Sequence, residues 1–317
     1  MIRSEEISVI VQGPIATDTI GSSSTKEVLS SIRAVLPNAE LILSTWKDAD
    51  LRVLDYDKVV LSDDPGLFSD RTITSSANIY RQITSTSAGL LVATRTYGLK
   101  LRSDTSLAST NFVDLWEERE SLGFKPRYFS KKILVSAIFT PCAQQCPSPY
   151  WVSDFFSFGL INDLLHLWQP PMEEIQRMNL IDEKRRALIA KGKRITPPYN
   201  AEQKIILAML TKSNLRENFE TIISTNLYRL IRSEIFIASH FIPVNPTATG
   251  INLPNRFNKY EYLASYRNDG EGNLFKSKNI FIKNLCICKI AFFLLFRCIK
   301  SAIVITAHRL GFINNKY

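Results

Sequence analysis

The sequence is poor in cysteine and histidine, with five of the first and three of the second in 317 residues. Five is an odd number, and Cys142, Cys146, Cys286, Cys288 and Cys298 follow no framework spacing. That excludes a disulfide scaffold and fits reduced thiols. Cys142 and Cys146 have no second pair to close a zinc site. No GxGxxG, GxxxxGK[ST] or GxSxG pattern occurs, which argues against dinucleotide dehydrogenases, P-loop enzymes and α/β-hydrolases. No basic-aromatic RNA motif is present, so no nucleic-acid partner is expected. The first residues, MIRSEEISVIVQGP, place acids ahead of a short apolar run without a small-residue cleavage site, and are not expected to act as a secretory leader.

Negative charge is missing from one end. After Glu271 there is no acidic residue, while Lys276, Lys278, Lys283, Lys289, Arg297, Lys300, Arg309 and Lys316 follow. Those eight cations taken from the net +9 leave +1 for the rest, so a nearly neutral body precedes a basic, apolar tail. The tail's longest stretches without Lys or Arg are IAFFLLF and SAIVITAH, far short of the roughly 18 apolar residues of a spanning helix. At 100° per residue most of its cations fall on one face. The pattern predicts an amphipathic helix lying on anionic lipid.

What the body does contain is alternation. ISVIVQGPI (7–15), AELILSTW (39–46) and DKVVLSDDPG (57–66) read as strands buried on both faces. Between the first two, residues 22–37 carry a capping box at Ser24 and Glu27, one apolar stripe, and Pro37 as a stop. Residues 78–93 read as a helix, followed by a strand ending in YGLKLRSDTSL (97–107). Such alternation implies a mainly parallel sheet with right-handed crossovers. Ligands then sit beyond the carboxyl ends of the strands. Four of those ends are polar or turn-forming: Gln12-Gly13-Pro14, Ser44-Thr45-Trp46, Asp63-Asp64-Pro65-Gly66 and Arg102-Ser103-Asp104. On the last of these strands, Lys100, Arg102 and Asp104 alternate onto one face, a pattern suited to a phosphate-bearing ligand.

Six blocks in this order (ISVIVQGPI, PNAELILSTW, LSDDPG, NIYRQITSTSAGL, YGLKLRSDTSL and SDFFSFG) resemble those of the WavE lipopolysaccharide-synthesis family. That family is similar to GT-A nucleotide-sugar glycosyltransferases. The resemblance implies a GT-A-like, Rossmann-like α/β fold with a mixed, mainly parallel sheet. It also implies sugar transfer from a nucleotide-sugar donor to a lipopolysaccharide core or surface-glycan acceptor. GT-A enzymes place Asp-x-Asp where this chain reads Arg102-Ser103-Asp104. Asp104 is therefore the expected ligand of a divalent metal, Mn²⁺ or Mg²⁺, and Arg102 replaces the first carboxylate. Arg102, with Lys100 beside it, has the charge to bind diphosphate directly.

The remaining expectations follow the same edge. Gln12, Gly13, Pro14, Ile15 and Ser103 would line the nucleotide, with Thr45 or Trp46 flanking the base and Asp63 on the nucleoside. Asn78, Arg81 and Gln82 would face the rim from one side of their helix. In the second half, residues 127–140 read as a strand, and Asp154 in YWVSDFFSFG (150–159) is a candidate base for the acceptor hydroxyl, with a helix beginning beyond Gly159. In TPPYNAEQKIILAML (196–210), Asn200 caps a helix whose first turn carries Glu202, a second candidate catalytic acid. The expected organisation is a transferase domain over 1–265, with a nucleotide half to about 107 and an acceptor half from about 108. A membrane-associating segment over 266–317 would hold it on the cytoplasmic face. The alternatives are a non-catalytic nucleotide- or glycan-binding subunit and a metal-assisted phosphohydrolase. No motif fixes the oligomeric state.

Overall fold

Strands β1 (Ile7–Gln12) and β2 (Glu40–Trp46) are buried at every position, as apolar runs covered on both faces should be. The computed structural model describes residues 1–17, 21–66, 78–143, 146–192, 199–216, 224 and 226–260. In the first half, α1 (Thr25–Val35) joins β1 to β2, and β3 (Lys58–Ser62), α2 (Ile79–Leu91) and β4 (Tyr97–Arg102) follow. Next come β5 (Ser106–Leu107), α3 (Asn111–Arg119), β6 (Ile133–Ser136), β7 (Ser157–Leu160), α4 (Ile161–Trp168) and α5 (Met172–Ala190). The described chain ends with α6 (Ala201–Thr211), α7 (Leu227–His240), β8 (Phe241–Val244), α8 (Pro246–Thr249), β9 (Ile251–Asn252) and a 3₁₀ turn, Asn255–Tyr260.

Seven strands form one sheet in the order β3-β2-β1-β4-β7-β6-β8, and β5 pairs separately with β9. Every neighbour in the large sheet is parallel except at β7, which runs against both β4 and β6. The expected strand over 127–140 is confined to Ile133–Ser136. The sheet runs through both halves of the expected transferase domain. The tail expected to form an amphipathic helix lies outside the described residues. Among those described, no helix is long and apolar enough to cross a membrane.

Two apolar layers sandwich the sheet. One face packs Ile10 and Ile42 against Ile83 of α2, Leu164 of α4 and Met209 of α6. The other packs Val9, Leu43 and Leu101 against Val28 and Ile32 of α1 and Phe112 and Trp116 of α3. Each of these large side chains gains about 1.5–3 kcal/mol by leaving water. Helix α1 starts where Ser24 accepts from the Glu27 amide at 3.3 Å and Glu27 returns the bond to the Ser24 amide at 2.9 Å, the capping box expected from the sequence. Helix α2 approaches the sheet closely at Gly89, where a Cβ would sit 2.5 Å from Ile10 Cγ2.

Two consequences of this topology build the site. The strand order reverses between β1 and β4, because the chain goes from β1 to β2 and β3 and then returns to β1's other side. The reversed strand β7 pairs its Ser157 with Lys100, so the segment entering β7 arrives at the carboxyl end of β4. That segment carries Asp154.

Candidate active site at the carboxyl edge of the sheet

Gln12, Ser44 and Arg102 lie side by side in register at the carboxyl ends of β1, β2 and β4. The loops beyond them are tied together by backbone bonds from Gly13 N to Ser44 O (3.1 Å) and from Ser103 N to Gln12 O (3.0 Å). Gly13 has φ +118°, and a Cβ there would stand 3.3 Å from Ser103 Oγ, so this turn is shaped for glycine. Ser103 Oγ donates to Pro14 O at 2.6 Å. Gln12 is almost fully buried, and its Oε1 accepts from Ser85 Oγ of α2 at 2.7 Å.

A cavity of about 440 Å³ opens over this edge. It takes Gln12, Gly13 and Pro14 from the β1 turn, Trp46 from β2, and Arg102, Ser103 and Asp104 from β4 and its turn. Asn78, Arg81 and Gln82 reach it from the start of α2. Ten of the residues expected at the site thus meet in one cavity of a size suited to a nucleotide.

Other expected residues lie elsewhere. Ile15 packs with the α1–α3 side of the core. Thr45 is fully buried, its hydroxyl without a hydrogen-bond partner among the described residues. Asp63 projects into solvent with its side chain 84 % exposed and pairs with Lys47 at 2.8 Å. Its neighbour Asp64 lines the cavity instead, because successive residues of an extended chain point to opposite sides. Lys100 does not line the cavity either. It is wholly buried, its Nζ donates to the Asp154 backbone carbonyl, and it sits 4.7 Å from the centre of the Trp168 ring. Burial pulls its pKa down to about 7, against the opposing field of Asp154.

Both carboxylates that line the cavity are held by arginine. Asp64 receives Arg81 through Nε at 2.7 Å and through a second bond from Nη2. Asp104 receives Arg102 Nε at 2.9 Å on one oxygen and Arg102 Nη2 at 3.0 Å on the other. Arg256, from the 3₁₀ turn, adds a bond to Asp104 Oδ2. Burial pushes the Asp104 carboxyl up, but the Arg102 guanidinium, helped by Arg256, outweighs it and holds the pKa at about 2. Sequence reasoning missed Arg256, which stands 152 residues from its partner and carries no local signal.

Beside the cavity the two candidate acids come together. Asp154 is buried among aromatics, and its carboxylate accepts from the Gln82 side-chain amide, linking it to the cavity wall. Glu202 stands in the first turn of α6, where Asn200 Oδ1 accepts from the Gln203 amide at 2.7 Å as the helix cap. Burial raises the Glu202 pKa well above the carboxylate range, and the charge of Asp154 raises it further. The Trp151 indole is near enough to offset part of this but closes no full hydrogen bond.

The donor set does not fit a divalent metal. Among the described residues no three His, Cys, Asp or Glu side chains are grouped to hold one. The two carboxylates of the cavity already engage guanidinium at both oxygens.

The fold and site together define an α/β protein with a cavity lined by two arginine–aspartate pairs at the reversal point of a mainly parallel sheet. More particularly, the chain belongs to the WavE lipopolysaccharide synthesis family, whose model matches residues 7–298, and so has a role in lipopolysaccharide synthesis. Among solved structures it is similar to 4-diphosphocytidyl-2C-methyl-D-erythritol synthase from Anaerococcus prevotii DSM 20548, at 10% identity and a TM-score of 0.34, covering 83% of this chain and 98% of that one. No curated protein matches the chain.

Proposed function

We infer that the protein is a glycosyltransferase that moves a sugar from a nucleotide-sugar donor to a lipopolysaccharide or surface-glycan acceptor. The observation that carries this reading is the cavity at the β1/β4 reversal, with glycine-shaped backbone, buried polar side chains and arginines converging on one volume. The nucleotide would lie along Gln12 to Pro14 with its base near Trp46. Its diphosphate would face Arg102.

In the transfer, the acceptor hydroxyl oxygen forms a bond to the anomeric carbon. The bond from that carbon to the diphosphate oxygen breaks, and its electron pair stays on the diphosphate. The site must therefore stabilise one added negative charge on the leaving group, which fixed guanidinium groups do without reorganisation. The hydroxyl proton passes to Asp154, which Gln82 of the cavity wall holds by a hydrogen bond. Glu202, whose pKa is raised by burial and by the charge of Asp154, stays protonated and does not compete for that proton. The basic segment 266–317, as a unit separate from the 1–265 transferase domain, would hold the enzyme on anionic lipid at the cytoplasmic face.

The test has two stages. A thermal-shift panel of nucleotides and nucleotide sugars identifies the donor class, since a ligand of the folded state raises apparent stability. Turnover of that donor is then followed with and without acceptor glycan. Acceptor-dependent breakdown is expected. Breakdown into water regardless of acceptor would make the protein a hydrolase, and binding without turnover would make it a non-catalytic module. For the tail, full-length protein should sediment with anionic vesicles at low salt, and a chain ending near residue 265 should not.

A further inference from the structure

We propose that the site binds diphosphate through a pair of arginines, Arg102 and Arg256, clamped by Asp104, and needs no divalent cation to do so. The proposal rests on the donor-site reading above and changes what that site uses to hold phosphate. Its starting point is the role of Asp104. A carboxylate that ligates a metal must offer free oxygen lone pairs to it. Here one oxygen takes Arg102 Nε, and the other takes Arg102 Nη2 and Arg256. Asp64, the other carboxylate of the cavity, is likewise taken up by Arg81.

The charge balance favours an anion. On the wall Arg81 and Arg102 are balanced by Asp64 and Asp104, and Arg256, which bonds Asp104 from the 3₁₀ turn behind it, adds one positive charge. That surplus, on an Arg256 side chain 51% exposed, adjoins Arg102 and Asp104 side chains that are only 25% and 11% exposed. The geometry adds direction. Phe257 lies beneath both guanidiniums, 5.6 Å from Arg102 Cζ and 4.7 Å from Arg256 Cζ. Its ring in turn packs on Phe155 with centroids 4.4 Å apart, beside the candidate base Asp154. Stacking on an aromatic fixes the guanidinium planes, and Asp104 fixes their rotation. Asp104 spends one side of the Arg102 fork, and no further bond from that fork is made among the described residues. A planar fork held in this way binds phosphate oxygens in pairs. Asp104 is thus a positioning residue for two cations, and the group that meets the leaving diphosphate is guanidinium.

The experiment is calorimetric titration of the full-length protein with inorganic pyrophosphate and with UDP, GDP, CDP and ADP. Each is run in EDTA and again in Mg²⁺ or Mn²⁺. Binding of at least one probe is expected to persist in EDTA. Arg256→Ala, at a half-exposed position where folding is little threatened, should weaken it about ten-fold or more. Arg256→Lys should restore only part, since an ammonium lacks the planar fork. Asp104→Asn should weaken binding in EDTA by less than Arg256→Ala does, because it loosens the two guanidiniums but removes no phosphate ligand. Binding that requires the metal, and that Asp104→Asn abolishes, would overturn the arginine clamp and leave the donor site standing. A folded wild-type protein that binds no probe in either buffer would overturn both.

Discussion

The rim of the cavity and the buried cluster beside it handle charge in opposite ways. At the rim each carboxylate is matched by a guanidinium: Asp64 by Arg81, and Asp104 by Arg102 and Arg256. In the cluster, Lys100 ends on a backbone carbonyl, and Glu202, half-buried, stands in the field of Asp154. Pairing keeps the rim ionised at neutral pH and gives it shape and positive charge. Burial without full pairing brings the cluster's protons within reach of neutral pH. On the proposed reading, the rim would hold an anion and the cluster would move a proton.

The comparison is broken most forcefully at Asp154. Asp154→Asn should lower turnover by about 10²–10⁴-fold with donor affinity nearly unchanged, since a base acts on the acceptor step. Weakened nucleotide binding with unchanged kcat would assign Asp154 to the rim instead. Lys100 tests the burial cost. Its pKa of about 7 lies below the unfolded value of 10.5, so between those limits the unfolded chain binds more protons. Stability should therefore rise with pH across that window, by on the order of a few kcal/mol. Lys100→Met should flatten the slope in denaturant melts taken from pH 7 to 10.5. If the slope is unchanged, the lysine is not the group responsible.

At the rim stability should also rise with pH, but in the acid range. Asp104 titrates near 3.8 when unfolded and about 2 when folded. Its contribution of roughly 2 kcal/mol is present above pH 3.8 and lost as pH falls through 2. Asp104→Asn should therefore be less stable than wild type at neutral pH, and the gap should close in acid. A gap that persists at pH 2 would mean the loss is one of packing. The smallest effect is expected at Glu202. Activity should decline on the alkaline side as its proton is lost, and Glu202→Gln should remove that limb at a cost of about ten-fold or less in turnover. An unaltered pH profile would leave Glu202 as a helix-start acid.

Much of this was open to reading along the chain. Residues 7–12 and 40–46 are mostly apolar on both alternating faces, which calls for strands covered on both sides. Ser24 with Glu27 and Asn200 with Gln203 start helices by bonds made within four residues, so the sequence alone sets them. The carboxyl-end turns of β1, β2 and β4 are also local, which is why most of the cavity could be named in advance. Asp63 and Asp64 mark the limit of that method, because which of two adjacent side chains enters the cavity depends on the path of the turn. Lys100 marks another. Alternation put it on the same face as Arg102, but whether that face was open there depended on α4, whose Trp168 covers it.

The sequence by itself determined the alternating elements, their caps and the polar strand ends, because each is decided by neighbours within one turn or one pleat. Only the tertiary structure decided which charges meet. It reversed β7 so that Asp154 reached β4, set Glu202 in the field of Asp154, and brought Arg256 across 152 residues onto Asp104. Coulomb energy depends on distance in space and on burial, and neither is written in sequence separation.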